Sequence, residues 1–130
     1  MPKKVLIVDD ERLLARTLAN TLREAGYQTT VAETAETAER HLAGKETFEL
    51  IVLDNRLPRR SGLDVLRGVR EAGFEGKVIL MTAYDSREVQ SEARRLKVDR
   101  YVKKPFDLGQ MMSAIRDLIG DSGSDAVSSE

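Results

Sequence analysis

The sequence lacks several features that would point to particular classes of protein. None of its 130 residues is cysteine, which excludes disulfides, thiolate catalysis and cysteine-ligated zinc and is typical of a reducing compartment. No apolar run exceeds four residues, whereas a transmembrane helix needs roughly 20. The opening Met1-Pro2-Lys3-Lys4 is not followed by the apolar core of a signal peptide. We therefore expect a cytoplasmic protein.

An excess of charge of one sign is also lacking. The formal net charge is −1 although 33% of the residues are charged. Such a chain has no overall field that attracts nucleic acid or an anionic membrane, so we expect direct binding to neither. A length of 130 residues suits one domain with a sizeable core. Partners must then be recognised through local contacts.

Four apolar runs end directly at residues with reactive side chains. Short apolar runs bounded by turn signals are typical of strands buried on both faces of a parallel sheet. The carboxyl ends of parallel strands share one edge, where ligands bind in open α/β sheets. The sequence therefore predicts that three carboxylates, a hydroxyl and an amine meet there: Asp9 and Asp10 after 5–8, Asp54 after 50–53, Thr82 after 78–81, and one amine of the pair Lys103-Lys104 after 101–102.

Strand and helix patterns alternate along the rest of the chain. Leu14, Leu18 and Leu22 repeat every four residues and predict an amphipathic helix, and Thr34 and Asp107 are placed to cap two others. In all, five strands and five helices are predicted, the fifth strand over residues 98–102, which favours a parallel sheet with right-handed crossovers and helices on both faces. From residue 120 onward the sequence is small, polar and aperiodic, and we expect a disordered tail.

The residues at the strand ends resemble the receiver domain of two-component response regulators. The resemblance covers residues 4–119 and includes the pair Asp9-Asp10 and the central Asp54, followed by Pro58, Gly62, Thr82-Ala83, Tyr101 and Lys104-Pro105-Phe106. It implies a flavodoxin-like, doubly wound, five-stranded parallel sheet with strand order 2-1-3-4-5 and five helices. Residues 1–119 would form the receiver domain, and 120–130 a disordered tail or the start of a linker.

The chemistry of these side chains can be argued independently of the resemblance. A carboxylate such as Asp54 can attack a phosphoryl group and form an acyl phosphate, which is covalent yet readily hydrolysed. An anionic donor is repelled by a cluster of carboxylates unless a divalent cation neutralises the site. Mg²⁺ suits this task because it favours oxygen ligands and binds through one or two carboxylates plus phosphate. Asp54 is therefore our candidate phosphoacceptor.

The resemblance also assigns roles to individual residues. Asp10 and Asp54 would bind Mg²⁺ directly, Asp9 through water, and Arg56 through its backbone carbonyl. Lys104 would pair with Asp54 and then with the phosphoryl oxygens, and the Thr82 hydroxyl would donate to the same group. Thr82 and Tyr101 would form the switch that reports phosphorylation. The side chains of Arg56 and Tyr84 are bulky, and we hypothesise that they slow the hydrolysis of the acyl phosphate.

The resemblance implies a signalling phosphoacceptor that promotes its own phosphorylation and dephosphorylation, and no further enzymatic activity. The donor would be a histidine kinase or histidine phosphotransfer protein, and the recipient of the signal a downstream protein or an effector domain. The surface of helix 4, strand 5 and helix 5 would carry the signal and could form a homodimer. Helix 4, predicted over residues 86–96, has the thinnest apolar stripe, so little packing opposes its movement.

The same residues also allow other interpretations. Asp9 and Asp10 precede a helix and could serve only as N-caps. A haloacid-dehalogenase-type hydrolase would carry a second aspartate where Arg56 stands, and a dinucleotide-binding enzyme would carry glycines after the first strand, where there are none. A pseudo-receiver, a protein-binding module that keeps the fold without phosphorylation, stays open as the alternative function.

Overall fold

Five strands alternate with five helices, as the sequence predicts. The structure is a computed structural model that describes residues 2–121, so the tail predicted to be disordered lies outside the described residues from position 122 on. The strands are β1 Lys4–Val8, β2 Gln28–Ala32, β3 Leu50–Asp54, β4 Lys77–Thr82 and β5 Arg100–Lys103. The helices are α1 Arg12–Glu24, α2 Ala35–Ala43, α3 Gly62–Glu71, α4 Arg87–Arg95 and α5 Leu108–Ile119.

The strands form one parallel sheet in the order β2-β1-β3-β4-β5. Val8 is in register with Leu53, and Asp54 with Met81, so β1, β3 and β4 end at almost the same level. Thr82 of β4 is in register with Lys103 of the next strand, β5. The flavodoxin-like fold and its strand order are therefore confirmed, and the residues that follow the strands emerge along one edge.

Alternate residues of the central strands point into two separate cores. Leu6 and Val8 pack in one core with residues of α2, α3 and α4, whereas Val5 and Ile7 pack in the other with residues of α1 and α5. Every residue of β3 is buried. Burial on both faces explains why these strands read as continuous apolar runs instead of alternating ones.

The helices begin at residues that suit helix capping. The side chains of Thr34 and Asp107 accept backbone hydrogen bonds at the starts of α2 and α5, as predicted. Ser61 and Asp64 form a reciprocal capping box at α3, and Ser86 caps α4. These caps fix where each helix leaves the edge of the sheet that carries the candidate site.

Strand β5 begins two residues later than the pattern at Val98 predicts. Lys97 adopts a left-handed conformation with φ of 62°, and the Val98 amide bonds back to the Ala93 carbonyl. Val98 therefore belongs to the turn that closes α4, since its amide is used there. The Asp99 amide donates to the Val78 carbonyl at 2.9 Å, and the register with β4 starts at Arg100.

Gly62 lies where α3 passes close to the end of β3. A Cβ atom at this position would stand 2.3 Å from the backbone oxygen of Asp54, which is an impossible contact. The amide of Gly62 donates to the Asn55 carbonyl at 2.8 Å, and the Asn55 side chain accepts from the Leu63 amide at 3.1 Å. The loop that follows Asp54 is thereby held tightly against the start of α3.

Among the described residues, no helix has both the length and the apolar character that crossing a membrane requires.

Candidate functional site

Four of the predicted site residues, Asp9, Asp54, Thr82 and Lys104, lie at the carboxyl edge of the sheet. Asp9 follows β1, Asp54 ends β3 and Thr82 ends β4, and all three are buried, with exposures of 1%, 4% and 3%. Lys104 follows β5 and reaches across to the two aspartates. Buried polar side chains are uncommon, and Asp9, Asp54 and Thr82 are the buried polar or charged residues of the described part of the chain.

The Lys104 ammonium is surrounded by three carboxylates. Its Nζ lies 2.8 Å from Asp54 Oδ2 and 3.1 Å from Asp9 Oδ2, and it also donates a hydrogen bond to Glu11. The peptide bond between Lys104 and Pro105 is cis. The lysine side chain is only 11% exposed, so its interactions with the carboxylates are less screened than those at the surface.

Backbone amides fix the orientation of both buried aspartates. The amide of Glu11 donates to Asp9 Oδ1 at 2.9 Å, and the amide of Arg56 donates to Asp54 Oδ1 at 3.0 Å. In each case the amide two residues further along the chain holds one oxygen, and the other oxygen faces Lys104. The N-cap of α1 is Glu11, so neither Asp9 nor Asp10 occupies the capping position.

Burial and the charged neighbours shift the pKa values of Asp9 and Lys104 in opposite directions. Burial raises the pKa of Asp9 from 3.8 to about 6, an effect that the hydrogen bond from the Glu11 amide and the nearby Lys104 only partly offset. Burial acts to lower the pKa of Lys104, but hydrogen bonds to Asp54, Glu11 and Asp9 outweigh it and raise that pKa. Lys104 therefore remains a cation throughout the physiological range.

The carboxylates also suit a divalent cation. One oxygen from each of Asp9, Glu11 and Asp54 lies within 4.8 Å of the other two. Asp9 Oδ2 is buried and accepts no hydrogen bond, although the Lys104 ammonium lies 3.1 Å away. A buried carboxylate oxygen without a hydrogen bond is costly, so this oxygen suits a further cation. An all-oxygen donor set fits a hard cation such as Mg²⁺ or Ca²⁺.

This grouping differs from the predicted set of ligands. Asp10 is exposed and stands outside the group, and Glu11, which the sequence did not single out, joins it. Arg56 contributes its amide to Asp54, and the role of its carbonyl as a ligand stays a prediction. Glu11 could have been noticed because it extends the acidic pair by one residue, but its approach to Lys104 depends on the fold.

The Thr82 hydroxyl is engaged with the backbone of the following loop. It donates to the Tyr84 carbonyl at 2.7 Å and accepts from the Tyr84 amide at 3.1 Å. The guanidinium of Arg56 lies over the Tyr84 ring, 4.8 Å from its centroid. The loops that follow β3 and β4 are thus in contact beside Asp54.

Tyr101 is half-buried on β5 and connects that strand to the start of α4. Its hydroxyl donates to Asp85 Oδ1 at 3.2 Å, and Gln90 of α4 donates to the same oxygen. Burial and the neighbouring Asp85 carboxylate both raise the pKa of Tyr101. Asp85 is a second residue that the sequence did not single out.

The fold and the site together define a flavodoxin-like protein with an acidic, lysine-bridged site at the carboxyl edge of its sheet. The family model described as the response regulator receiver domain matches residues 5–116. The chain belongs to this family, and is thus a receiver domain of the two-component signalling systems.

Relatives and solved structures agree with this assignment. The chain is 35% identical over 114 residues to the transcriptional regulatory protein DltR of Streptococcus agalactiae, covering 87% of this chain and 50% of that protein. It is 36% identical over 115 residues to the response regulator protein PmrA of Pseudomonas aeruginosa, covering 88% and 52%. The chain therefore spans about half the length of these relatives.

Two solved structures illustrate the likeness in three dimensions. A CheY-like receiver domain protein from Methanospirillum hungatei superimposes with a TM-score of 0.85 at 26% identity, covering 90% of this chain and 93% of that one. A response regulator from Burkholderia pseudomallei, solved with a phosphorylated aspartic acid, a calcium ion and citrate, gives a TM-score of 0.77 at 30% identity and coverages of 86% and 65%.

Proposed function

We propose that Asp54 accepts a phosphoryl group from a phosphohistidine of a histidine kinase or phosphotransfer protein. The observation that carries this proposal is the 2.8 Å ion pair between Lys104 and the buried Asp54 within a group of three carboxylates. An aspartate held only for structure would not need two further carboxylates and a lysine around it. The phosphorylated aspartic acid of the Burkholderia pseudomallei relative supports the same chemistry here.

The transfer exchanges one bond to phosphorus for another. A carboxylate oxygen of Asp54 attacks the phosphorus, the bond between phosphorus and the histidine nitrogen breaks, and the imidazole leaves with its electron pair. Lys104 is already protonated, because its pKa is raised, and it offers positive charge to the phosphoryl oxygens. Hydrolysis by water later returns the free carboxylate and inorganic phosphate.

We further propose that this chemistry uses Mg²⁺. Asp10, Asp54 and the backbone carbonyl of Arg56 would hold the cation, with Asp9 acting through water. The cation would supply charge neutralisation between the anionic donor and the carboxylates. The buried Asp9 Oδ2, which accepts no hydrogen bond, supports a cation at this place.

The signal would leave the site through Thr82 and Tyr101. For its hydroxyl to donate to a phosphoryl oxygen, Thr82 must give up the Tyr84 carbonyl that it now contacts at 2.7 Å. The loop that carries Tyr84 and Asp85 would then move, and with it the Asp85 oxygen that holds Tyr101. We propose that this rearrangement remodels the surface of α4, β5 and α5.

A downstream protein, an effector domain or a second copy of the chain would recognise that remodelled surface. Its present charges include an ion pair between Arg100 of β5 and Asp117 of α5, 3.3 Å apart and exposed. Exposed ion pairs contribute little to stability, so rearranging this one costs little free energy. In this proposal residues 1–119 act as the receiver, and 120–130 are a tail or the beginning of a linker.

Intact mass spectrometry after incubation with acetyl phosphate tests the proposal. We expect the wild-type chain to gain the mass of one phosphoryl group when Mg²⁺ is present, and Asp54→Asn to gain none. A folded wild-type chain that gains no mass with acetyl phosphate or a small phosphoramidate would overturn the proposal. The pseudo-receiver interpretation would then stand.

A further inference from the structure

Three carboxylates crowd the Lys104 ammonium, which already donates hydrogen bonds to two of them. An ammonium carries three N–H groups, and three carboxylates already surround this one. Asp54 and Glu11 accept hydrogen bonds from it, and Asp9 Oδ2 lies 3.1 Å away. Once Asp54 carries a phosphoryl group, a phosphoryl oxygen that approaches Lys104 therefore competes with the contacts to Glu11 and Asp9.

The three carboxylates differ greatly in their access to water. The side chains of Asp9 and Asp54 are 1% and 5% exposed, whereas that of Glu11 is 60% exposed. Without Lys104, Asp9 Oδ2 would be a buried anionic oxygen with no partner. Glu11 alone can exchange its contact with Lys104 for water at small cost.

The position of Glu11 in α1 leaves its side chain available for this contact. Glu11 is the N-cap of α1, but its side chain accepts no hydrogen bond from the first turn of the helix. Its backbone amide instead donates to Asp9. Withdrawal of the Glu11 carboxylate from Lys104 therefore breaks no helix cap and leaves the amide that orients Asp9 in place.

We propose that Glu11 is a positioning residue that holds Lys104 in the unphosphorylated protein and competes with the phosphoryl group for it. Phosphorylation displaces the Glu11 carboxylate into water, and a phosphoryl oxygen takes its place on the ammonium. Glu11 thereby weakens the uptake of a phosphoryl group. This inference rests on the proposed function of Asp54.

Binding of beryllofluoride, a phosphoryl mimic, measured by calorimetry at saturating Mg²⁺ tests the competition. We expect Glu11→Gln to bind the mimic about three- to tenfold more tightly than the wild type, the effect of releasing one charge-assisted hydrogen bond. Glu11→Ala should match or exceed this gain. Glu24→Gln, which removes another exposed charge at the far end of α1, should leave the affinity unchanged.

Two further measurements separate competition from simpler effects. In about 1 M potassium chloride the Debye length is about 3 Å, so a gain from reduced long-range repulsion would vanish, whereas release of Lys104 would persist. Titration with Mg²⁺ alone shows whether the Glu11 variants also change the affinity for the cation. If Glu11 competes for Lys104, the gain in affinity for beryllofluoride exceeds any change in affinity for Mg²⁺.

The outcomes distinguish this inference from the proposed function. Suppose the wild type binds the mimic at saturating Mg²⁺ and both Glu11 variants bind it no more tightly than the wild type does. The inference that Glu11 competes for Lys104 is then refuted, and the proposed role of Asp54 is unaffected. If neither the wild type nor the variants bind the mimic, the proposed function fails and the inference fails with it.

Discussion

The guanidinium of Arg56 lies 4.8 Å from the centroid of the Tyr84 ring, so that the loops after β3 and β4 are joined beside Asp54. Arg56 is the second residue after the candidate phosphoacceptor, and Tyr84 is the second after Thr82. Both residues are exposed, and stacking keeps their bulk together at the solvent side of the site. The pair is therefore placed to obstruct water on its way to a phosphoryl group.

Breaking this stack should speed the loss of the phosphoryl group. We expect Tyr84→Ala and Arg56→Ala each to raise the dephosphorylation rate about two- to fivefold, the change that corresponds to losing a contact of about 0.5–1 kcal/mol. The rate can be followed by release of inorganic phosphate from the phosphorylated chain. Arg59→Ala in the same loop serves as the control, and unchanged rates in both stack variants would refute the idea.

Asp9 should make the stability of the metal-free protein depend on pH. Its pKa is raised from 3.8 to about 6 in the folded state, so the folded protein binds the proton more tightly than the unfolded chain. Wild-type stability relative to Asp9→Asn should therefore fall as the pH rises from about 4 to about 6. Near pH 7 we expect Asp9→Asn to be more stable by up to about 3 kcal/mol.

Chemical denaturation with a chelator present measures this difference at both ends of the pH range. Glu24→Gln removes an exposed acid and should show no comparable dependence. Near pH 4 the Asp9 carboxyl is protonated in the folded state and is neutral like asparagine. A gain in stability for Asp9→Asn that is as large near pH 4 as near pH 7 would therefore contradict the raised pKa of Asp9.

Gly62 should tolerate no side chain. The Cβ of Gly62→Ala would meet the Asp54 backbone oxygen at 2.3 Å, and backbone atoms cannot give way as a flexible side chain can. We expect a loss of at least about 2 kcal/mol of stability, measured by denaturation. Gly68→Ala is the matched control, because a Cβ there meets nothing within 4 Å, and in a helix it should be neutral or stabilising.

Thr82 should couple phosphorylation to Tyr101 without being needed for the transfer itself. We expect Thr82→Ala to accept a phosphoryl group, while the NMR signals of the Tyr101 ring no longer change when it does. Thr82→Ser keeps the hydroxyl and should keep the response. A full Tyr101 response in Thr82→Ala would show that the signal leaves the site by another route.

The fold could be predicted because parallel strands that are buried on both faces have continuous apolar sequences. Each central strand is a continuous apolar run, and the register aligns their ends, so the meeting of Asp9, Asp54, Thr82 and Lys104 followed from the pattern. The start of β5 was placed too early because Val98 is apolar like a strand residue. Its amide is used by the turn after Ala93, which periodicity does not reveal.

The finer geometry of the site could not be read from the sequence. Glu11 reaches Lys104 across 93 residues of chain, and no local pattern encodes such a contact. The Thr82 hydroxyl, which is predicted to donate to the phosphoryl group, contacts the Tyr84 backbone in this structure. This contact depends on the rotamer of Thr82, which sequence spacing does not determine.

The position of the phosphoryl group tests the central claim most directly. Borohydride reduces an acyl phosphate to an alcohol, so treatment of the phosphorylated chain would convert the modified aspartate to homoserine, which peptide mass spectrometry can locate. We predict homoserine at position 54 alone, and only after incubation with both phosphodonor and Mg²⁺. Homoserine at another position, or its absence from a chain that has gained phosphoryl mass, would contradict the assignment of Asp54.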